Sequence, residues 1–124
     1  MSTITLEYHQ MMDDKVIKKE LSFSEELLTS PYALASLFVI QVEGRSMQPL
    51  IKDKALVIAD LSQKVFEEEG IFLVDYENKM WIKKASMVED KKCFVSINPE
   101  FSHLVYEAKE VAIIAKAILT FTNL

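Results

Sequence analysis

The alternation of apolar and polar positions describes a run of short strands with one interruption near the start of the chain. TITLEY sets Ile4, Leu6 and Tyr8 on one side at period two, which predicts a strand over 3–8. QMMDDKVIKKE (10–20) is polar and irregular and reads as an exposed connection. LSFSEELL then places Ser22 three positions before Glu25, a pairing in which the two side chains satisfy the first N–H groups of a helix. Leu27 and Leu28 would be its apolar contacts. One short N-terminal helix is therefore expected, stopped at Ser30–Pro31.

Strand signals dominate from there. SLFVIQV (36–42) is rich in β-branched and aromatic residues and stops at Glu43–Gly44, and ALVIAD (55–60) reads as a short buried strand. GIFLVDY (70–76) and KMWIKKA (79–85) flank Glu77–Asn78 and form the clearest hairpin. KCFVSI (92–97) runs into the turn signal Asn98–Pro99. EVAIIAKAILTF (110–121) is long enough for a helix, but its Val and Ile content favours a strand. The fold class is mainly β: a compact, curled or partly closed antiparallel sheet, because most strands read apolar on more than one face. With only two glycines in the chain, Asn, Asp and Lys must make several of the tight turns.

Composition narrows the function classes. A chain of 124 residues, 50% hydrophobic and 27% charged, is a globular single domain, with residues 1–20 as a lead-in and 21–124 as the folded unit. The longest apolar run, YALASLFVI at 32–40, is too short to span a membrane, and the first residues lack the pattern of a secretion signal. A cytoplasmic protein with no membrane partner is expected. A formal charge of −5 disfavours a nucleic-acid footprint. Cys93 is the sole cysteine, and His9 and His103 have no partner at ligand spacing, so neither a metal nor a cofactor is expected. His103 reads as a loop residue and Cys93 as a buried small hydrophobe.

The candidate chemistry lies in VEGRSMQPLIKDK (42–54). Gly44 permits a tight bend, and Gln48 is pushed towards extended geometry by Pro49, so Ser46 is held between two constraints. An ordinary rigid turn would have the same features. A serine becomes a nucleophile only when a base takes its proton, and the histidines are poorly placed for that. A lysine can serve if burial keeps its amine neutral. Lys83 and Lys84 are both candidates, since each has apolar neighbours on its own face, Trp81 and Ala85 for one and Met80 and Ile82 for the other. Alternation does not choose between them.

The longer stretch VEGRSMQPLIKDKALVIAD resembles the nucleophile segment of the LexA/phage-CI/UmuD family of self-cleaving proteins, a Gly-x-Ser-Met-x-Pro run followed by a hydrophobic strand. MWIKKA is similar to the family's base-carrying strand, and the resemblance implies Lys83 rather than Lys84, because 83 − 46 = 37 is the spacing expected of the family. SINPEF (96–101) resembles its Asn-Pro turn, EVAIIAKAI its last strand, and ELSFSEELL the segment leading in, so the likeness covers about 20–121. It implies a compact β-fold of the LexA C-terminal type with Ser46 as nucleophile and Lys83 as base. Backbone N–H groups around Ser46 and Met47 would hold the oxyanion, and Gly44, Met47, Pro49 and Trp81 would shape the turn and cleft. It also implies a homodimer, activation by a recombinase filament in the DNA-damage response, and DNA contact only through a separate N-terminal domain. A free-standing relative of the UmuD kind, assisting a translesion polymerase, is the alternative that the same likeness offers.

The chain departs from the pattern in two places. Lys54 and Ala55 replace the glycine and second aspartate of a usual Asp-Gly-Asp, which predicts a less tight turn. The bond such proteins cut in themselves, usually Ala-Gly or Cys-Gly, would fall at Met11 and Met12, 46 − 11 = 35 positions before the serine, and no such pair stands there. A non-catalytic dimerisation module is the third reading. In it the strand bearing Val111, Ile113, Ala115, Ala117 and Leu119 pairs with a partner's edge, and Lys83 pairs with Glu67, Glu68 or Glu69. The two classes differ in Lys83: catalysis requires its pKa to be depressed.

Overall fold

A computed structural model describes residues 2–124, with the backbone alone at positions 11 and 12. Nine strands are formed among the described residues: β1 (Thr3–Met12), β2 (Lys15–Ser24), β3 (Leu37–Gln41), β4 (Leu56–Asp60), β5 (Ile71–Tyr76), β6 (Lys79–Val88), β7 (Lys91–Val95), β8 (Val105–Glu107) and β9 (Ala112–Phe121). The expected mainly β, antiparallel class holds. β1 and β2 form a two-stranded sheet, and the other seven form a second, open sheet in the order β3-β4-β9-β5-β6-β7-β8.

The expected N-terminal helix does not form. Ser24, not Ser22, caps a single 3-10 turn at Glu25–Leu27, its side chain accepting from the Glu26 N–H at 3.2 Å. Ser22 is already committed to the hairpin, where its hydroxyl meets that of Thr5 at 2.8 Å. The stretch read as an irregular connection is in fact the tip and return arm of that hairpin, paired without a break from Thr3↔Ser24 to Met12↔Lys15. Lys15–Lys18 on the return arm are all exposed, so no apolar alternation marks it in the sequence. The base of the hairpin is the anchored part. Ile4 and Phe23 are cross-strand partners and share a buried cluster with Leu37, Val39 and Ile58.

Tight turns are made almost without glycine. The two-residue hairpin turns Asp13–Asp14, Glu77–Asn78 and Glu89–Asp90 all have φ between 50° and 65°. This is the doubly left-handed geometry whose twist matches that of the flanking strands. Asp and Asn tolerate the left-handed region, and Glu77 and Glu89 take it at the first position of their turns. At the end of β4 the buried Asp60 accepts from the N–H groups of Ala33 (2.9 Å) and Ser62 (2.8 Å), the Ser62 hydroxyl (2.6 Å) and Gln63 Nε2 (3.0 Å). Burial pushes its pKa upward, but these hydrogen bonds outweigh burial and hold the carboxyl at about 2.

β9 is an interior strand, which corrects the expectation that it pairs with a partner's edge. β4 occupies one of its edges and β5 the other. Its alternation is also broken twice. The register skips Ile118 opposite Ile58/Ala59 and Ile114 opposite Leu73/Val74. Each extra residue flips the side chains that follow, so the five residues read as one face are divided among clusters: Ile113 packs with Phe72 and Phe94, and Leu119 with Ile58. No helix among the described residues is long and apolar enough to cross a membrane.

Candidate active site

The turn that carries Ser46 is braced from its far side. After β3, the Val42 N–H donates to the Ala55 C=O and the Lys54 N–H to the Val42 C=O, both at 2.8 Å. Gly44 bends at φ +96°, and its N–H donates to Asp53 Oδ1 at 2.8 Å. Asp53, the aspartate retained from the Asp-Gly-Asp pattern, thus fixes the entry to the serine turn. Lys54 occupies the glycine position of that pattern and adopts φ 71°, so the turn keeps a glycine-like geometry at the cost of backbone strain. Lys54→Gly is accordingly expected to raise stability by about 0.5–1 kcal/mol, the strain relieved less the extra freedom of the unfolded chain, read as a higher urea midpoint.

Beyond the serine the chain dives into the core. Met47 is 2% exposed and packs with Val42, Ile51, Val57, Leu73 and Ile82. The Ile51 N–H donates to its C=O at 2.9 Å, and the Gln48 N–H donates to the Arg45 C=O at 3.2 Å. The Gln48–Pro49 peptide is cis. Pro49 is exposed and lies outside the cleft lining, whereas Ser46 is half-buried and lines it. Among the described hydrogen bonds, the N–H groups of Ser46 and Met47 and the Ser46 hydroxyl have no protein partner.

The cleft has a volume of about 630 Å³. Ile40, Val42, Gly44 and Ser46 come to it from β3 and the serine turn, and Leu73, Met80, Trp81 and Ile82 from the β5–β6 hairpin. The lining is mostly apolar, with Gln41, Glu43, Arg45, Ser46 and Asp53 as its polar and charged members. The Trp81 indole Nε1 is buried with no hydrogen-bond partner among the described residues.

Lys83 follows Trp81 and Ile82 on β6 and is completely buried, at 0% exposure. Burial lowers its pKa from the ordinary 10.5 to about 8, and no charged neighbour contributes. Two of the three glutamates assigned to it in the dimerisation reading pair elsewhere, Glu69 with Lys84 at 2.7 Å and Glu67 with Lys116 at 3.0 Å, and Glu68 is exposed. The Lys83 amine lies 5.4 Å from the Trp81 ring centroid and donates to Ser96 Oγ at 2.8 Å. Among the described hydrogen bonds, that is its contact, and Ser46 Oγ is not its partner.

The Asn-Pro turn joins these parts. The Asn98 N–H donates to the Ser46 C=O and its Nδ2 to the Arg45 C=O, each at 2.9 Å. Its Oδ1 caps the 3-10 turn Pro99–Phe101 by accepting from the Glu100 N–H at 3.0 Å. Sequence reasoning saw in SINPEF only a turn and missed Ser96 and Asn98 as site residues. Strand register could have found Ser96, since pairing outward from the β6–β7 turn sets it opposite Lys83. The positions matching the usual self-cleavage bond lie near the tip of the β1–β2 hairpin, and the side chains of Met11 and Met12 are outside the described residues. His103 is exposed in a loop and Cys93 is buried, and no cluster of three or more metal-ligating side chains occurs among the described residues.

A family model described as Peptidase S24-like matches residues 3–118. A protein of Haemophilus influenzae named an uncharacterized HTH-type transcriptional regulator is 34% identical over 79 residues. That alignment covers 63% of this chain and 33% of the relative, so the match spans a third of the relative's length.

Proposed function

Because this chain belongs to the Peptidase S24-like family, we propose that it is the regulatory domain of a LexA/CI-like transcriptional repressor and cleaves its own polypeptide with Ser46 and Lys83. The observation that carries this reading is a lysine with no exposure and no carboxylate partner, its pKa lowered to about 8, on a strand tied through residues 96–98 to the serine turn. A structural lysine is normally paired or solvated, whereas a general base must be neutral near the working pH.

In the reaction the neutral Lys83 amine takes the Ser46 Oγ proton as Oγ attacks the peptide carbonyl carbon. The carbonyl oxygen becomes an oxyanion, for which the unpartnered N–H groups of Ser46 and Met47 are the available donors. Collapse breaks the C–N bond, and the proton on Lys83 passes to the departing amine. Water, deprotonated by the same lysine, then releases the acyl group from Ser46. If the cut lies at the family's position, the hairpin tip must open, because Met11 and Met12 are paired there with Val16 and Lys15. That a relative is named an HTH-type transcriptional regulator supports the repressor reading.

Intact mass followed over time from about pH 7 to about pH 10 tests the reading, comparing wild type with Ser46→Ala and Lys83→Ala. Two fragments summing to the parent plus one water, forming faster as pH rises and absent in both variants, are expected. Fragments that persist in either variant would overturn it.

We also propose that the domain self-associates. An apolar groove of about 310 Å³ on another face is lined by Leu50, Ile51, Ile71, Ala117, Ile118 and Leu119, with Leu50 51% exposed. Since β9 has no free edge, pairing would be through side chains rather than strand addition. A dimer mass by light scattering at micromolar concentration, reduced to the monomer by Leu50→Glu, is the expected result.

A further inference from the structure

Lys84 pairs with Val95 across β6 and β7, so the register carried one step further sets Lys83 against Ser96, the residue after the end of β7. There the amine donates to Ser96 Oγ at 2.8 Å. Two residues later Asn98 holds the carbonyls of Arg45 and Ser46 through its Nδ2 and N–H. A three-residue segment therefore touches the candidate base at one end and the nucleophile turn at the other. Ser96 is half-buried, and Ile97 between them packs on the Met47 cluster, which keeps the segment in place.

We propose that Ser96 is the positioning residue of the Ser46–Lys83 pair: its hydroxyl oxygen accepts from the Lys83 amine and fixes the rotation of that amine, leaving its lone pair for the Ser46 proton. The inference rests on the catalytic reading above and adds a third residue to it. A neutral amine has two N–H bonds and one lone pair. On the end of four rotatable bonds it has no fixed direction without a partner. With one N–H spent on Ser96, the lone pair is restricted to the remaining directions. The buried ammonium formed during the reaction also keeps an acceptor, and a hydrogen bond to a charged donor is stronger than one to a neutral donor.

The surrounding charges leave Ser96 as the polar group acting on the amine. On β5 the cross-strand neighbour of Lys83 is Phe72, and the strand's one carboxylate is Asp75. On β7, Lys91 pairs with Glu107, Lys92 lies over the Phe66 ring, and Cys93 is a buried thiol. Lys84 on the same strand pairs with Glu69, and Arg45 on the serine turn lies 3.9 Å from Glu100.

The test measures acetylation of Ser46 by p-nitrophenyl acetate against pH, which needs no cleavable peptide bond. The ester C–O bond breaks, the Ser46 Oγ–acyl bond forms, p-nitrophenolate leaves, and the serine proton goes to Lys83. Peptide mapping by mass separates acetyl-Ser46 from any acetyl-lysine, and the Lys83 amine is titrated by NMR in the same samples. Ser96→Ala is expected to lower the plateau rate about 10-fold or more through loss of orientation. It should also move the acid limb and the Lys83 midpoint down by roughly half a unit or more, because the charged form loses its acceptor. Ser96→Thr should retain both. Ser96→Cys, which keeps the shape with a weaker acceptor, should move both in the direction of alanine and serves if the alanine variant does not fold. Wild-type labelling matched by the alanine or cysteine variant, with an unmoved limb, would overturn the role of Ser96 alone. Failure of wild-type Ser46 to take the acetyl group would overturn the catalytic reading, and the role of Ser96 with it.

Discussion

Lys83→Met is expected to make the protein more stable near neutral pH and to abolish the chemistry at Ser46. The folded protein holds this amine at about 8 against an ordinary 10.5, so the unfolded chain binds its proton more tightly. The group therefore opposes folding below about pH 8. Its penalty fades as pH rises from about 8 towards 10.5, because the unfolded state then loses the proton too. A shift of this size corresponds to on the order of 3 kcal/mol, and methionine fills nearly the same volume without a charge to desolvate. The loss of the partner of Ser96 offsets part of the gain. Urea denaturation at about pH 7 and about pH 10 should show the variant ahead of wild type at the lower pH and the difference shrinking at the higher. A variant less stable than wild type at both would mean that the buried amine is a structural asset. Acetylation of Ser46 in the variant should fall to the rate of a free serine.

Met47→Ala is expected to cost about 2–5 kcal/mol, the range for removing a buried methionine where the surroundings cannot collapse. Met47 is next to Ser46 and packs at 2% exposure against strands from both halves of the sheet, including Val57 and Ile82. Its loss should therefore also slow Ser46 chemistry under conditions where the variant is still folded, since the side chain that holds the turn against the sheet is gone. Met47→Leu, close in volume, should cost less than about 1.5 kcal/mol. Denaturation midpoints together with acetylation rates separate the two effects. Loss of stability with a wild-type rate in the folded fraction would show that the turn is held by its hydrogen bonds to Ala55, Asp53 and Asn98 alone.

Most strands were legible because they are short, apolar and bounded by turn signals; Glu77–Asn78 marked the β5–β6 hairpin without ambiguity. The failures have physical causes. The return arm of the outer β1–β2 hairpin is exposed from Lys15 to Lys18 and carries Val16 and Ile17 side by side, so its pairing leaves no alternation to read. The Ser22–Glu25 spacing imitates a helix cap but belongs to a strand whose serine is bonded across the hairpin. β9 carries two extra residues, which scrambles the face that a strict period of two assigns to it. β8 has only three residues, too few to give a period. At the site, the serine turn and the lysine strand were visible as residues. What holds them was not, because Ser96 and Asn98 act through contacts set by register and by a turn. The strain at Lys54 appears only in the backbone, where a lysine takes the conformation expected of glycine.

The central claim is that burial keeps the Lys83 amine available as a base for Ser46. NMR titration of that amine in the wild-type protein, with the rate of Ser46 acetylation recorded across the same pH series, tests it most directly. The account predicts a midpoint at about 8 and an acid limb of the rate that coincides with it. A midpoint at the ordinary 10.5, or a rate indifferent to the titration of Lys83, would contradict it.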